Sequence, residues 1–124
     1  MSWPIALSVK PKTLFIITGD PRQSPRPAEA IRIAAGVGAW QKTEVNLYLR
    51  DAAVLALTEQ VEALVDEESF TRYLPMMAEF GRPIYVQRGA PGLQEIGRSP
   101  LACEEIDDTK LAELTAASNY VIRF

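Results

Sequence analysis

The run Thr13-Leu-Phe-Ile-Ile-Thr18, followed by Gly19-Asp-Pro-Arg-Gln-Ser-Pro-Arg-Pro27 and then Ala28 to Trp40, decides how this chain folds. The first stretch is apolar on both faces of any strand it forms, the pattern of a strand covered on both sides in a parallel sheet. The second is dense in turn residues, and the third is rich in Ala and Ile at helical spacing. Strand, tight loop, helix is the opening of a βαβ unit, whose loop is the usual place for a ligand.

Outward from this unit the pattern repeats. Upstream, residues 1–11 form a short arm with Trp3, Ile5 and Leu7 on alternate positions, readable as a frayed terminus or as a docked arm. Ser24 is the expected N-cap of the Ala28–Trp40 helix, with Pro25 and Pro27 at its entry. Ile31, Ala34, Ala35 and Gly38 make one stripe, and Ala30, Ile33, Val37 and Trp40 another; Glu29, Arg32 and Gly36 are left for solvent. Gly36 and Gly38 are read as allowing the helix a close approach. Downstream, Glu44 to Leu49 alternates as a second strand, and Asp51 is placed to cap a helix through Val54, Leu57, Val61 and Leu64, as far as Val65.

Asp66-Glu67-Glu68 sits where a helix dipole favours acids, ahead of a helix from Ser69 to Phe80. Pro75 either kinks that helix or marks a late start, and Gly81-Arg-Pro83 stops it. Ile84 to Gln87 is the third strand, followed by the loop Arg88-Gly-Ala-Pro-Gly92 and a helical turn, Leu93 to Ile96. Leu101 to Ile106 reads as a fourth strand. Asp107 or Asp108 caps a helix through Leu111, Leu114 and Ala117, and Tyr120 to Phe124 is a fifth strand. The alternation predicts one domain over residues 1–124, a three-layer α/β/α sandwich around a mostly parallel five-stranded sheet.

Composition narrows function by exclusion. The chain has 124 residues, a net charge of -3, one cysteine and no histidine. The charge disfavours nucleic-acid binding, and one cysteine forbids an intrachain disulfide or a Cys-based zinc site. Without histidine there is no Ser-His or Cys-His pair and no imidazole metal ligand. No apolar run is long enough to cross a bilayer, and the first residues do not have the form of a signal peptide. The expectation is a cytoplasmic protein without membrane, metal or cofactor.

Three places could carry chemistry. The first is the loop after strand one: Thr18, Gly19, Asp20, Arg22 and Ser24 could hold a small anion with backbone amides and guanidinium groups, or form a plain connecting loop, and neither a P-loop nor a dinucleotide fingerprint is present. The tip of strand three, Gln87-Arg88-Gly89, could face the same crevice or be a solvated turn. Cys103 reads as a small core residue of an apolar strand, its thiolate disfavoured by Glu104 and Glu105. A separate feature is the Ser69–Phe80 helix, whose apolar arc of roughly 200° exceeds the 100° typical of a helix resting on one core. Tyr73, Met76 and Phe80 are therefore expected at a homo-oligomer interface, in a dimer, trimer or hexamer, the alternative being that a neighbouring helix of the same chain covers that flank.

Several segments together resemble the DsrE/DsrF-like family, the small sulfur-relay proteins that include the TusD type. They are Thr18-Gly-Asp-Pro with its Ala-rich helix, Val45-Asn-Leu-Tyr-Leu49 leading into Asp-Ala-Ala-Val, Phe80-Gly-Arg-Pro-Ile-Tyr-Val86, and the ending Leu111-Ala-Glu-Leu…Ser118-Asn-Tyr-Val-Ile-Arg-Phe124. The resemblance implies a parallel α/β sandwich, frequent oligomers, and a persulfide-bearing cysteine just after strand three. Gln87 stands in that cysteine's place. The expected role is that of a non-catalytic or regulatory subunit, or a binder of a small anionic ligand between Gly19 and Gln87. The alternatives are a sulfur carrier using Cys103 and a mononucleotide-binding flavodoxin-like domain.

Overall fold

A computed structural model describes residues 10–96 and 101–124. Its centre is β1 (Lys12–Ile17), buried from Thr13 to Ile17. Phe15 and Ile17 enter one apolar core while Leu14 and Ile16 enter a second, on the opposite face. A strand with period-2 side chains and no polar face must be covered on both sides. β1 pairs in parallel with β2 (Glu44–Leu49) and with β5 (Tyr120–Arg123). β2 pairs with β3 (Ile84–Gln87) and β3 with β4 (Cys103–Ile106), again in parallel. The strand order is β4-β3-β2-β1-β5.

The larger core is covered by α1 (Arg26–Ala39), two 3-10 turns (Asp51–Leu57 and Val61–Ala63), α2 (Glu67–Glu79) and the short α3 (Gly92–Ile96). The smaller core is covered by α4 (Asp108–Ala117), through Leu111 and Leu114. The result is the expected three-layer α/β sandwich, with one face far more heavily covered than the other. The unequal layers explain Tyr48. It lies on the face opposite Val45, Leu47 and Leu49, yet it is wholly buried beside Leu14, Ile16 and Ile106.

Several local expectations are corrected. The helix through Val54 to Val65 is replaced by the two 3-10 turns. Five successive residues, Ala53 to Leu57, are buried, so this segment has no solvent stripe to set a 3.6-residue period. Thr58 is extended and its Oγ1 accepts from the Gln60 amide, a local bond that competes with helix. The Val65 amide donates to the Pro21 carbonyl at 2.8 Å, drawing the segment to the Gly19 loop instead of back onto its own turn. Asp51 does not cap by its side chain; it opens the first 3-10 turn with φ of 53°. The α1 N-cap is Pro25, with Ser24 Oγ accepting from the Arg26 amide at 3.2 Å. By contrast Asp107 caps α4 as expected, accepting from the Lys110 amide at 2.9 Å. Gly81, with φ of 82°, ends α2 in the left-handed conformation, and Pro75 lies inside that helix without delaying its start.

The two helix glycines part company. A methyl at Gly38 would overlap the Phe80 ring, whereas one at Gly36 would meet nothing. Gly36 is exposed and brings no two elements together. The second apolar flank of α2 is partly covered within the chain: Phe80 lies on Gly38 of α1, and Tyr73 packs against the larger core with Arg72 over its ring. Met76 stays half-buried. Trp40, expected in an apolar stripe, is 68 % exposed.

Gly38→Ala should therefore destabilise the protein by about 1–3 kcal/mol through overpacking, less what helix propensity returns. Gly36→Ala should stabilise by about 0.5–1 kcal/mol. Urea unfolding of both variants checks the pair, and equal effects would contradict the close approach.

Candidate functional site

The topology itself locates a crevice. The chain leaves β1, β2 and β3 towards the larger core, but leaves β4 towards α4. Loops that part to opposite faces open a cleft at the carboxyl ends of the strands between them. That switch point lies between the tips of β3 and β4, next to Gln87 and Ile106, which are in register. The Gly19 loop is two strands away, above β1.

At the β3 tip, Gln87 is half-buried and its Oε1 accepts from the Asp51 amide at 2.8 Å. The side chain thereby holds the end of β2 against β3. Arg88 donates its amide to the Ile106 carbonyl at 3.0 Å and sets its guanidinium 3.7 Å from Asp107. Gly89 turns the chain with φ of 78°, a conformation that glycine adopts without steric cost.

The Gly19 loop is folded on itself. Asp20 accepts from the Arg22 amide at 2.9 Å, from Arg22 Nε at 3.1 Å and from its second terminal nitrogen at 3.0 Å. The Gln23 and Ser24 amides both donate to the Asp20 carbonyl. Arg26 lies over the Phe124 ring, 5.4 Å from its centroid. The hydrogen bond from Arg22 holds the Asp20 carboxyl below its ordinary range, against a smaller opposing push from burial. This clasp stabilises the loop above the unfolded carboxyl pKa and is lost as pH falls through the lower folded value. The Arg22, Gln23 and Ser24 amides and the Arg22 guanidinium are thus engaged within the loop itself.

What does join the two regions is a cavity of about 270 Å³. Arg22 lines it from the Gly19 loop, Asp51 from the end of β2, and Pro91, Gly92 and Glu95 from the segment after β3. Gln87 is not part of this wall and acts behind it, through Asp51. Thr18 is exposed at the end of β1, its amide donating to the Phe124 carbonyl. With Arg22 already paired to Asp20, the carboxylates of Asp51 and Glu95 set the sign of the cavity.

Cys103 is not a core residue. It opens β4 at the free edge of the sheet and is exposed. Its register partner is Ile84, the first residue of β3, so it sits at the opposite end of that strand from Gln87. Burial at the sulfur, then the charge of Glu105, pushes the thiol pKa above its ordinary 9.0. The reading of the neighbouring acids therefore holds although the reading of the side chain's place does not.

Two features escaped the sequence reading. The Tyr48 hydroxyl and Asn46 Oδ1 are buried without a hydrogen-bond partner among the described residues. Burial raises the Tyr48 pKa, with the charge of Arg50 opposing. The second is an apolar cavity of about 360 Å³ between the first 3-10 turn and α2, walled by Leu57, Phe70 and Leu74. Polar residues on an otherwise apolar β2 were a visible signal for the first. The cavity had none, because it forms between elements distant in sequence.

The architecture is thus an all-parallel, five-stranded α/β sandwich with its crevice at the β3–β4 tips. Its fold is that of the ychN protein from E. coli, whose crystal structure superposes with a TM-score of 0.76 over 92 % of this chain and 99 % of that one, at 19 % identity. No protein-family model and no curated protein matches the chain.

Asp20→Asn should loosen the Arg22 clasp and make the Gly19 loop bind phosphate, which the unaltered loop should not do. Amide chemical shifts at Gly19 to Ser24 during a phosphate titration measure this; saturable shifts in the unaltered protein would contradict the closed loop. Maleimide labelling of Cys103 should be slow at neutral pH and rise about tenfold per pH unit without levelling below pH 9, because the thiolate is the reacting form. A plateau near pH 8 would contradict the raised thiol.

Proposed function

We propose that this chain is a DsrE/DsrF-like protein of the sulfur-relay type, a single α/β domain that acts as a non-catalytic, binding or regulatory member and not as a sulfur carrier. The observation that carries this reading is the tip of β3. Where the resemblance implies a persulfide-bearing cysteine, the chain has Gln87, an amide without a nucleophilic sulfur, fastened to the Asp51 backbone. The shared fold with the ychN protein supports the family part of the reading. The distance of Cys103 from that tip, at the other end of β3, supports the non-catalytic part.

A ligand of the cavity between the Gly19 loop and the segment after β3 is better sought among neutral or cationic molecules than among anions, given Asp51 and Glu95 in the wall and the internal pairing of Arg22. One observation favours the alternative, a carrier using Cys103: its thiol is exposed.

Incubation with inorganic polysulfide, followed by intact-mass measurement without reductant, separates the two. The unaltered protein should gain no stable sulfur. Gln87→Cys should gain it at position 87, since that change restores a thiol at the tip. A persulfide on Cys103 that passes to an acceptor thiol would replace this reading with the carrier one.

A further inference from the structure

The apolar cavity of about 360 Å³ between the first 3-10 turn and α2 has a floor of buried side chains, Ala56, Leu57, Phe70 and Leu74. Thr71 and Pro75, both exposed, stand at its rim on the α2 side. Glu59, also exposed, is the one charged side chain in the wall among the described residues. No lysine or arginine among them lines the cavity, so a carboxylate or phosphate would find no counter-charge there. Water is a poor occupant of such a floor, which gives it few hydrogen-bond partners. A dry apolar cavity of about 150 Å³ holds benzene. At more than twice that volume, this one admits a body the size of phenol or indole.

One residue gives this wall a fixed polar atom. α2 runs from Glu67 to Glu79 with Pro75 inside it. Proline has no N–H, so the Thr71 carbonyl, four residues back, is denied its helical donor, and the ring crowds that carbonyl as well. Phe70, Thr71, Leu74 and Pro75 fall at i, i+1, i+4 and i+5, which is one side of a helix, and all four line the cavity. The freed carbonyl therefore opens on the same side as the apolar floor. The Thr71 hydroxyl is turned to another acceptor, donating to the Glu67 carbonyl at 3.3 Å. A carbonyl left in this way takes its donor from outside the helix. Sites for small molecules commonly combine an apolar lining with a few polar groups so placed.

We propose that the cavity between the first 3-10 turn and α2 is a binding site for a small uncharged molecule with an apolar body and one hydrogen-bond donor, which the Thr71 carbonyl receives. A phenol hydroxyl or an indole N–H is a donor of this kind. The inference does not depend on the reading of Gln87. It gives Pro75 a purpose within α2, where proline otherwise only costs a hydrogen bond.

Phenol and indole, titrated separately into the unaltered protein, should give saturable amide shifts at Leu57, Phe70 and Leu74. Benzoate, the same ring with a carboxylate, should give none there. Toluene matches phenol in shape without the donor, so it reads the apolar body alone. Pro75→Ala returns an N–H to the Thr71 carbonyl. It should weaken phenol about three- to tenfold, the worth of one hydrogen bond, and leave toluene unchanged. No saturable shift with phenol or indole at millimolar concentration would overturn the proposal, as would shifts confined to other parts of the chain. Equal changes for phenol and toluene in Pro75→Ala, or no change in either, would overturn it too, because the carbonyl would then play no part. Benzoate bound as tightly as phenol would do the same.

Discussion

The structure depends on β1 being apolar on both faces. Phe15 and Ile17 on one side, and Leu14 and Ile16 on the other, are each at most 5 % exposed. Burial of each such side chain is worth about 1.5–3 kcal/mol, so neither face can be left to water without losing a large share of a marginal stability. The requirement places β1 inside the sheet, between β2 and β5, and demands helices on both sides. The rest of the architecture answers that demand unevenly. Five helical segments crowd one face, while among the described residues α4 alone serves the other, through two leucines.

The unevenness has consequences for function. Because only α4 crosses to the second face, the loops part between β3 and β4, and the crevice falls there instead of above β1. The thick face, in turn, is packed closely enough that α1 needs a glycine where the Phe80 ring meets it. Part of the apolar surface of α2 is covered inside the chain, and Tyr73, Met76 and Phe80 each stay half-buried.

The candidate site shows how pairing decides availability. Arg22, Arg50 and Arg88 stand near the carboxyl ends of the strands, yet they are not equivalent. Arg22 is held by two side-chain hydrogen bonds to Asp20, whereas Arg50 and Arg88 are 3.6 and 3.7 Å from their acids. Exposed contacts of that length contribute little. A count of positive residues in the loop would suggest an anion site; their geometry shows that Arg22 already has a carboxylate partner. Gln87 likewise is defined less by its identity than by its bond to Asp51, which makes it a brace between two strand ends.

By itself the sequence determined the strands, most of the helices, their order and the parallel sheet, because these follow from apolar period, caps and breakers within short windows. Phe15, Asp107, Gly81 and the doubly apolar β1 all act locally and were legible. Only the tertiary structure decided features that depend on what arrives from elsewhere in the chain. The segment after β2 forms 3-10 turns because Pro21 captures the Val65 amide and because its whole surface is buried. Gly38 and Gly36 look alike in sequence and differ only because Phe80 meets one of them. Cys103 is exposed because β4 lies at the edge of the sheet, a place that its own neighbours could not announce.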